Sequence, residues 1–374
     1  MSTVLVTGSS GFIGGYIVEE LLQQGYTVIG LDNFSKYGPI SHSYDDNPRY
    51  RFVQGDAQDV KLMHELLMES DHLIAGAAMI GGISYFHTFA YDLLATNERI
   101  MAATCDAAIE AHKNGRLKKV TYMSSSMVFE STDSWPSVEG DERKVAPPLS
   151  SYGFQKLAVE YFARAAWDQY KLPYTIIRPF NCVGVGERRA VTDVEIESGN
   201  VKLAMSHVVP DLVQKVLKGQ DPLHILGDGA QTRHYTYGAD LAKGIVLTLD
   251  HPAATNQDFN LSTTQETTVI ELAEMITGVS AAGDCGVRRR LMIEMTRIEA
   301  GTSSEMSRSH THSPLAYREW SKDDHSMYVP SQSRPGKSTL PLSSKAMRVS
   351  RVVPAVMMSV LVAWLRERSL ARIV

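Results

Sequence analysis

Short apolar runs alternate with longer stretches of helical periodicity through the first 280 residues. Thr3–Val6 is the first run. Gly11–Gln24 follows, with Ile13, Ile17, Leu21 and Leu22 spaced along one helix face. Thr27–Leu31, Tyr50–Val53, His72–Ala75, Lys118–Met123 and Tyr174–Ile177 read as further buried strands. Helical stretches at Lys61–Met68, Tyr91–His112 and Tyr152–Tyr170 separate them. Strands that alternate with helices make βαβ units, so the pattern predicts an α/β fold. Right-handed crossovers assemble such units into an open, doubly wound parallel sheet.

After Asn181 the rhythm loosens. Val208–Leu217 and Leu241–Leu249 keep helical spacing, with short extended pieces at Leu223–Leu226 and Phe259–Leu261. These predict a smaller, discontinuous second lobe over residues 181–280, beside a main domain of residues 1–180. A helix at Glu271–Ile276 closes the patterned region. Residues 281–374 break the pattern: they hold about 15 basic and 8 acidic residues and are rich in Arg and Ser. Two readings fit this tail, a disordered extension or translation in a shifted reading frame. The apolar run Val352–Leu365 contains Pro354 and is too short to span a bilayer.

Composition narrows the function classes. With Lys+Arg 37 against Asp+Glu 42, the net charge is −5, which argues against a nucleic-acid binder. No apolar run reaches the roughly 18 residues of a membrane span. The chain enters its first strand at Thr3 without a basic, apolar leader, so a cytoplasmic location is expected. Cys105, Cys182 and Cys285 match no disulfide or metal spacing, and no metal is expected.

The chemistry begins at the first strand–helix junction, Thr7-Gly8-Ser9-Ser10-Gly11-Phe12-Ile13-Gly14. Glycines there permit a tight turn and let a pyrophosphate approach the backbone, while the helix start offers free N–H groups. Asp32 ends the second strand, where a carboxylate accepts hydrogen bonds from an adenosine ribose and repels a 2′-phosphate. Strand, glycines, helix and acid together indicate a Rossmann-like domain that prefers NAD to NADP. Further on, Tyr152 and Lys156 sit four apart on one helix face. A free tyrosine titrates near pH 10, and a nearby ammonium and nicotinium would favour its phenolate, making a general base.

In this order the motifs resemble the extended short-chain dehydrogenase/reductase family, the nucleotide-sugar epimerases and dehydratases, over about residues 3–276. The resemblance implies cofactor contacts at Gly8, Gly11, Phe12, Ile13, Gly14, Asp32, Asp56, Ala77, Asn97 and Lys156. It implies a catalytic hydroxyl at Ser125, from alignment on Met127-Val128-Phe129, beside Tyr152 and Lys156. It also implies substrate contacts at Asn181 in Arg178-Pro179-Phe180-Asn181 and at Arg233, whose planar fork suits a diphosphate. Tyr85 and His87 lie in an unusual segment expected near the sugar, where contact and packing are both open. His207 reads as a helix-capping residue and Cys182 as buried.

The segment after Ser125 bears on reaction type. Family members that eliminate water carry Asp-Glu there; this chain has Ser126 and Met127. Members that epimerise beside the keto group carry a cysteine at Met127. The resemblance therefore implies oxidation and reduction at C4 of a nucleotide-linked sugar, with NAD as cofactor, a UDP-sugar as the favoured substrate and a possible homodimer. The alternatives are a 4,6-dehydratase or 4-ketoreductase of the same family, or a non-catalytic NAD-binding scaffold. Ala75, Phe129 and Glu130 depart from residues common in the family, a histidine, a tyrosine and a glycine respectively.

Overall fold

The structure is a computed structural model, and it describes residues 2–81, 88–188, 190–191, 195–204, 207–283 and 293–296. In chain order the first strands are β1 (Thr3–Thr7), β2 (Thr27–Asp32), β3 (Tyr50–Gln54), β4 (His72–Ala75), β5 (Lys119–Met123) and β6 (Tyr174–Pro179). Shorter ones follow: β7 (Cys182–Val183), β8 (Glu195–Ser198), β9 (Val201–Ala204), β10 (Leu223–Leu226), β11 (Thr232–Arg233) and β12 (Thr236–Tyr237). The last three are β13 (Gln257–Leu261), β14 (Thr267–Thr268) and β15 (Ile293–Thr296). The helices are α1 (Phe12–Gln23), α2 (Val60–Met68), α3 (Ala90–Lys113), α4 (Ser151–Tyr170), α5 (Val208–Leu217), α6 (Gly238–Asp250) and α7 (Val269–Gly283).

The main sheet has seven parallel strands in the order β13-β6-β5-β4-β1-β2-β3. Its central strands are buried on both faces, as parallel sheets require. One face carries α2, α3 and α4 over Leu5, Leu73 and Val120. The other carries α1 and α6 over Val4, Val6 and Ile74. The alternation Val4, Leu5, Val6 thus feeds two separate cores from one strand. Strand order reverses between β1 and β4, and ligands of doubly wound folds lie at the carboxyl ends beside such a reversal.

Two segments after Asn181 return to this body. β13 pairs with β6 from Gln257↔Thr175 to Leu261↔Pro179, so Phe259–Leu261 belongs to the main sheet, not to the second lobe where its position in the chain put it. The pairing joins residues about 80 apart, which a local pattern does not reveal. α6 packs on α1 through Leu241, Ile245 and Leu249. The smaller body is built on a third cluster from α5, α7, β10 and Tyr235. There β15 pairs in parallel with β10, so strand structure extends one element past residue 280, where the pattern had ended. Val352–Leu365 lies outside the described residues. No helix among them is long and apolar enough to cross a membrane.

Candidate active site

The turn after β1 is held by main-chain and side-chain bonds. Gly8 N–H donates to Leu31 O at 2.8 Å, and Thr7 Oγ1 accepts from the N–H groups of Gly76 and Ala77 at 3.1 Å each. These bonds draw the ends of β1, β2 and β4 together. Gly8 has φ +73°, and a Cβ there would meet the backbone of Gly76 and Ala77 at 3.0 Å. A Cβ on Gly14 would lie 2.0 Å from Gly8 O, so any side chain would force the turn open. Gly11 starts α1 with no side chain to occupy its first N–H groups, and Phe12 and Ile13 follow at the mouth. The cradle fits a dinucleotide pyrophosphate.

Asp32 stands at the end of β2. One carboxylate oxygen accepts from Ser10 N–H at 3.0 Å and the other from Phe34 N–H at 2.8 Å. It therefore faces the glycine turn and braces it. Asn33 Nδ2 donates to Asp56 at 3.2 Å, which places Asp56 beside the same edge. Asn97 is buried on α3, where it accepts from Met79 N–H at 2.7 Å and donates to Met79 O at 2.9 Å. Its role here is to clamp the loop that leaves Ala77.

The three expected catalytic side chains converge at the end of β5. Ser125 Oγ accepts from Met127 N–H at 3.2 Å as it caps a 3₁₀ turn over Ser126–Phe129. Its own proton is then free to point at Tyr152, and a hydrogen bond from Ser125 reaches that phenol. Burial pushes Tyr152 up to about 12, with the Ser125 bond working in the opposite direction. Lys156 Nζ donates to Met123 O at 2.9 Å and lies 5.8 Å from the Tyr152 ring centre. Burial pushes its ammonium down to about 8. Burial thus prevails at Tyr152, and the expected phenolate calls on a nicotinium as well as the Lys156 ammonium.

Of the residues expected to meet substrate, Asn181 follows β6 with φ +39°, and its carbonyl accepts from Thr236 N–H at 3.1 Å. That bond and the β7–β12 pairing bring the Asn181 segment beside the Arg233 segment. Arg233 donates to Thr232 O at 2.8 Å, and burial pushes its guanidinium down to about 10. Such a partly buried cation gains from an anionic ligand. Tyr85 and His87 lie outside the described residues. Tyr16, on α1, joins the two bodies: its hydroxyl donates to Val185 O at 2.9 Å. A Cβ on Gly184 would lie 2.5 Å from that hydroxyl oxygen, and one on Gly238 would lie 2.5 Å from the ring.

A family model described as the NAD dependent epimerase/dehydratase family matches residues 4–262. The chain belongs to that family. A Methanocaldococcus jannaschii relative, named provisionally as a UDP-glucose 4-epimerase, is 30% identical over 274 residues, 73% of this chain and 81% of the relative. A UDP-glucose 4-epimerase structure from Thermotoga maritima superposes with TM-score 0.69 at 20% identity, covering 98% of this chain and 99% of that one. A dTDP-glucose 4,6-dehydratase structure from Streptomyces venezuelae, with NAD bound, gives TM-score 0.62 at 26% identity over 75% and 81% of the two chains.

Within this epimerase/dehydratase fold, several residues were not legible as site supports. Arg178 is fully buried under the end of β6, paired with Glu160 (2.7 Å), Asp258 (2.8 Å) and Glu142 (3.1 Å). Ser124 Oγ donates to Glu160 at 2.7 Å, which ties the residue before Ser125 into that network. Glu160 lies four residues after Lys156 on α4, a spacing visible in the sequence but without a partner to give it meaning. Glu130 accepts from Ser150 N–H at 3.0 Å and Ser150 Oγ at 2.8 Å. His207 occupies the N-cap position of α5, as expected, with its side chain turned to Glu187. Cys182 is partly buried and packs against the α1–α6 core.

Proposed function

We propose that this protein is an NAD-dependent 4-epimerase of a nucleotide-linked sugar, with a UDP-sugar favoured. The observation that carries the reading is the surroundings of Tyr152. Met127, with no titratable group, packs against it, and Ser126 is buried in the same 3₁₀ turn. Those are the positions at which elimination of water needs an acid and a base. Glu130, the nearest carboxylate along the chain, is engaged by Ser150.

Tyr152 takes the proton of the C4 hydroxyl, and Ser125 holds that oxygen and shares the phenol's hydrogen bond. Lys156 keeps a positive charge near the phenolate while anchored to Met123 O. NAD, when bound on the Gly8, Gly11 and Gly14 cradle with Asp32 at its ribose, supplies the hydride acceptor and a positive ring. Asn181 and Arg233 hold the diphosphate, so the 4-keto sugar turns on a fixed anchor and is reduced on its other face. The body built on α5, α7 and β10 is the sugar-nucleotide lobe. Exposed aromatic side chains at Tyr91 on α3 and at Phe154 and Tyr161 on α4 suit a homodimer contact.

Incubation with UDP-, dTDP- and GDP-sugars in deuterium oxide, read by NMR and mass, tests the reading. Inversion at C4 is expected, with unchanged product mass and no deuterium at C5. A product lighter by one water, or labelled at C5, moves the protein to the dehydratase reading.

A further inference from the structure

Ser125 and Tyr152 must meet within a hydrogen bond, yet they belong to elements joined by a long excursion of chain. Ser125 leads the 3₁₀ turn Ser126–Phe129, whose last residue is followed by Glu130. Tyr152 sits in the first turn of α4, capped by Ser150. Glu130 and Ser150 are 20 residues apart, so the local chain does not fix one hydroxyl against the other.

Three contacts close this gap. Glu130 Oε2 accepts from both the N–H and the Oγ of Ser150, and Ser150 Oγ in turn accepts from Gly153 N–H at 3.0 Å. Gly153 lets the two elements touch: a Cβ there would lie 2.8 Å from Met127 O and 2.9 Å from Glu130 Oε2. Ser131 Oγ adds a bond to Pro147 O at 3.0 Å alongside. One carboxylate oxygen thus spans from the turn that carries Ser125 to the helix cap that carries Tyr152.

We propose that Glu130 is a positioning residue that sets the Ser125–Tyr152 geometry through its bridge to Ser150. The proposal rests on the epimerase reading for its kinetic consequence, but the bridge itself does not. A carboxylate suits the role because a single oxygen accepts two bonds. A misplacement of about 1 Å in a proton-transfer pair costs on the order of a hundredfold in rate.

The test compares full-length NAD-loaded Glu130→Ala, Glu130→Gln, Ser150→Ala and the Glu130→Ala/Ser150→Ala double variant with the unsubstituted protein. Glu130→Ala and Ser150→Ala are expected to lower kcat by about tenfold or more with KM nearly unchanged. Glu130→Gln, which keeps an acceptor oxygen, restores most of kcat. The double variant is no worse than the poorer single variant, since both remove one bridge. Crystal structures of the unsubstituted and Glu130→Ala proteins give a readout that needs no turnover: Ser125 Oγ and Tyr152 Oη should separate. Unchanged kcat in Glu130→Ala, additive losses in the double variant, or an unchanged Ser125–Tyr152 distance would each overturn the assignment. If the unsubstituted protein inverts no sugar in the panel, the epimerase reading fails and the distance alone decides the bridge.

Discussion

Two cations lie equally deep near the ends of β5 and β6 and are treated in opposite ways. Arg178 would be pushed down by burial, but hydrogen bonding and charge from Glu160, with Asp258 and Glu142, more than reverse this and hold it above its ordinary range. Lys156, one helical turn before Glu160, donates to a main-chain carbonyl, and among the described residues no carboxylate pairs with it. Burial therefore prevails and its ammonium falls to about 8. A cation that serves the fold is neutralised where it sits. Lys156 is left short of negative charge, which a phenolate forming nearby would supply.

The largest test of this contrast removes the phenol. Tyr152→Phe should lower turnover by about 10²–10⁴-fold while NAD still binds, measured by steady-state kinetics beside cofactor titration. Near-normal turnover would take Tyr152 out of the reaction.

Next comes stability. Arg178→Met leaves Glu160, Glu142 and Asp258 with the partly exposed Arg164 as their remaining cation, and denaturant unfolding should show a loss of about 3 kcal/mol. Lys156→Met should act in the other direction. Below about pH 8 the ammonium is charged in native and unfolded chains alike, and the native state carries its burial cost, up to about 3 kcal/mol. As pH rises from about 8 toward the ordinary 10.5, the native state releases its proton first, so the unsubstituted protein gains stability. The advantage of Lys156→Met at pH 7 should therefore shrink toward pH 10. A pH-independent difference would show that Lys156 is not held against its charge.

Asp32→Asn keeps an oxygen for the turn but removes the charge. Discrimination against NADP should relax by about tenfold, a change of about 1.4 kcal/mol, read from the ratio of binding constants. Tighter binding of NADP than NAD by the unsubstituted protein would refute the role given to Asp32. The smallest effect is expected for Tyr16→Phe, which loses one bond to Val185 O and should cost about 0.5–1.5 kcal/mol in thermal or denaturant unfolding.

The sheet and its cofactor edge were legible because their signals are local. Apolar runs at Thr3–Val6 and His72–Ala75 name buried strands, and the glycines of residues 8–14 answer to a turn that tolerates no Cβ. The Ser125, Tyr152 and Lys156 trio was legible through motif order, and the structure brings it together. The supports beneath it were not. Glu160 and Arg178 meet across 18 residues, and Asn260 reaches Arg178 across 82, distances at which spacing carries no information. The surroundings of Tyr152 were legible in part: helical spacing showed a cation nearby, but not how completely both groups leave water.

Tyr16 carries a practical lesson for anyone who would recombine this fold. By position it belongs to the dinucleotide helix, and a chimera cut near Asn181 would leave it with the cofactor half. Its ring is moulded to Gly184 and Gly238 and its hydroxyl to Val185, all on the far side of that cut. A transplanted lobe with larger residues at those two glycines would collide with it, and one lacking the carbonyl would strand its hydroxyl. In choosing crossover points, residue 16 should travel with the second half of the chain.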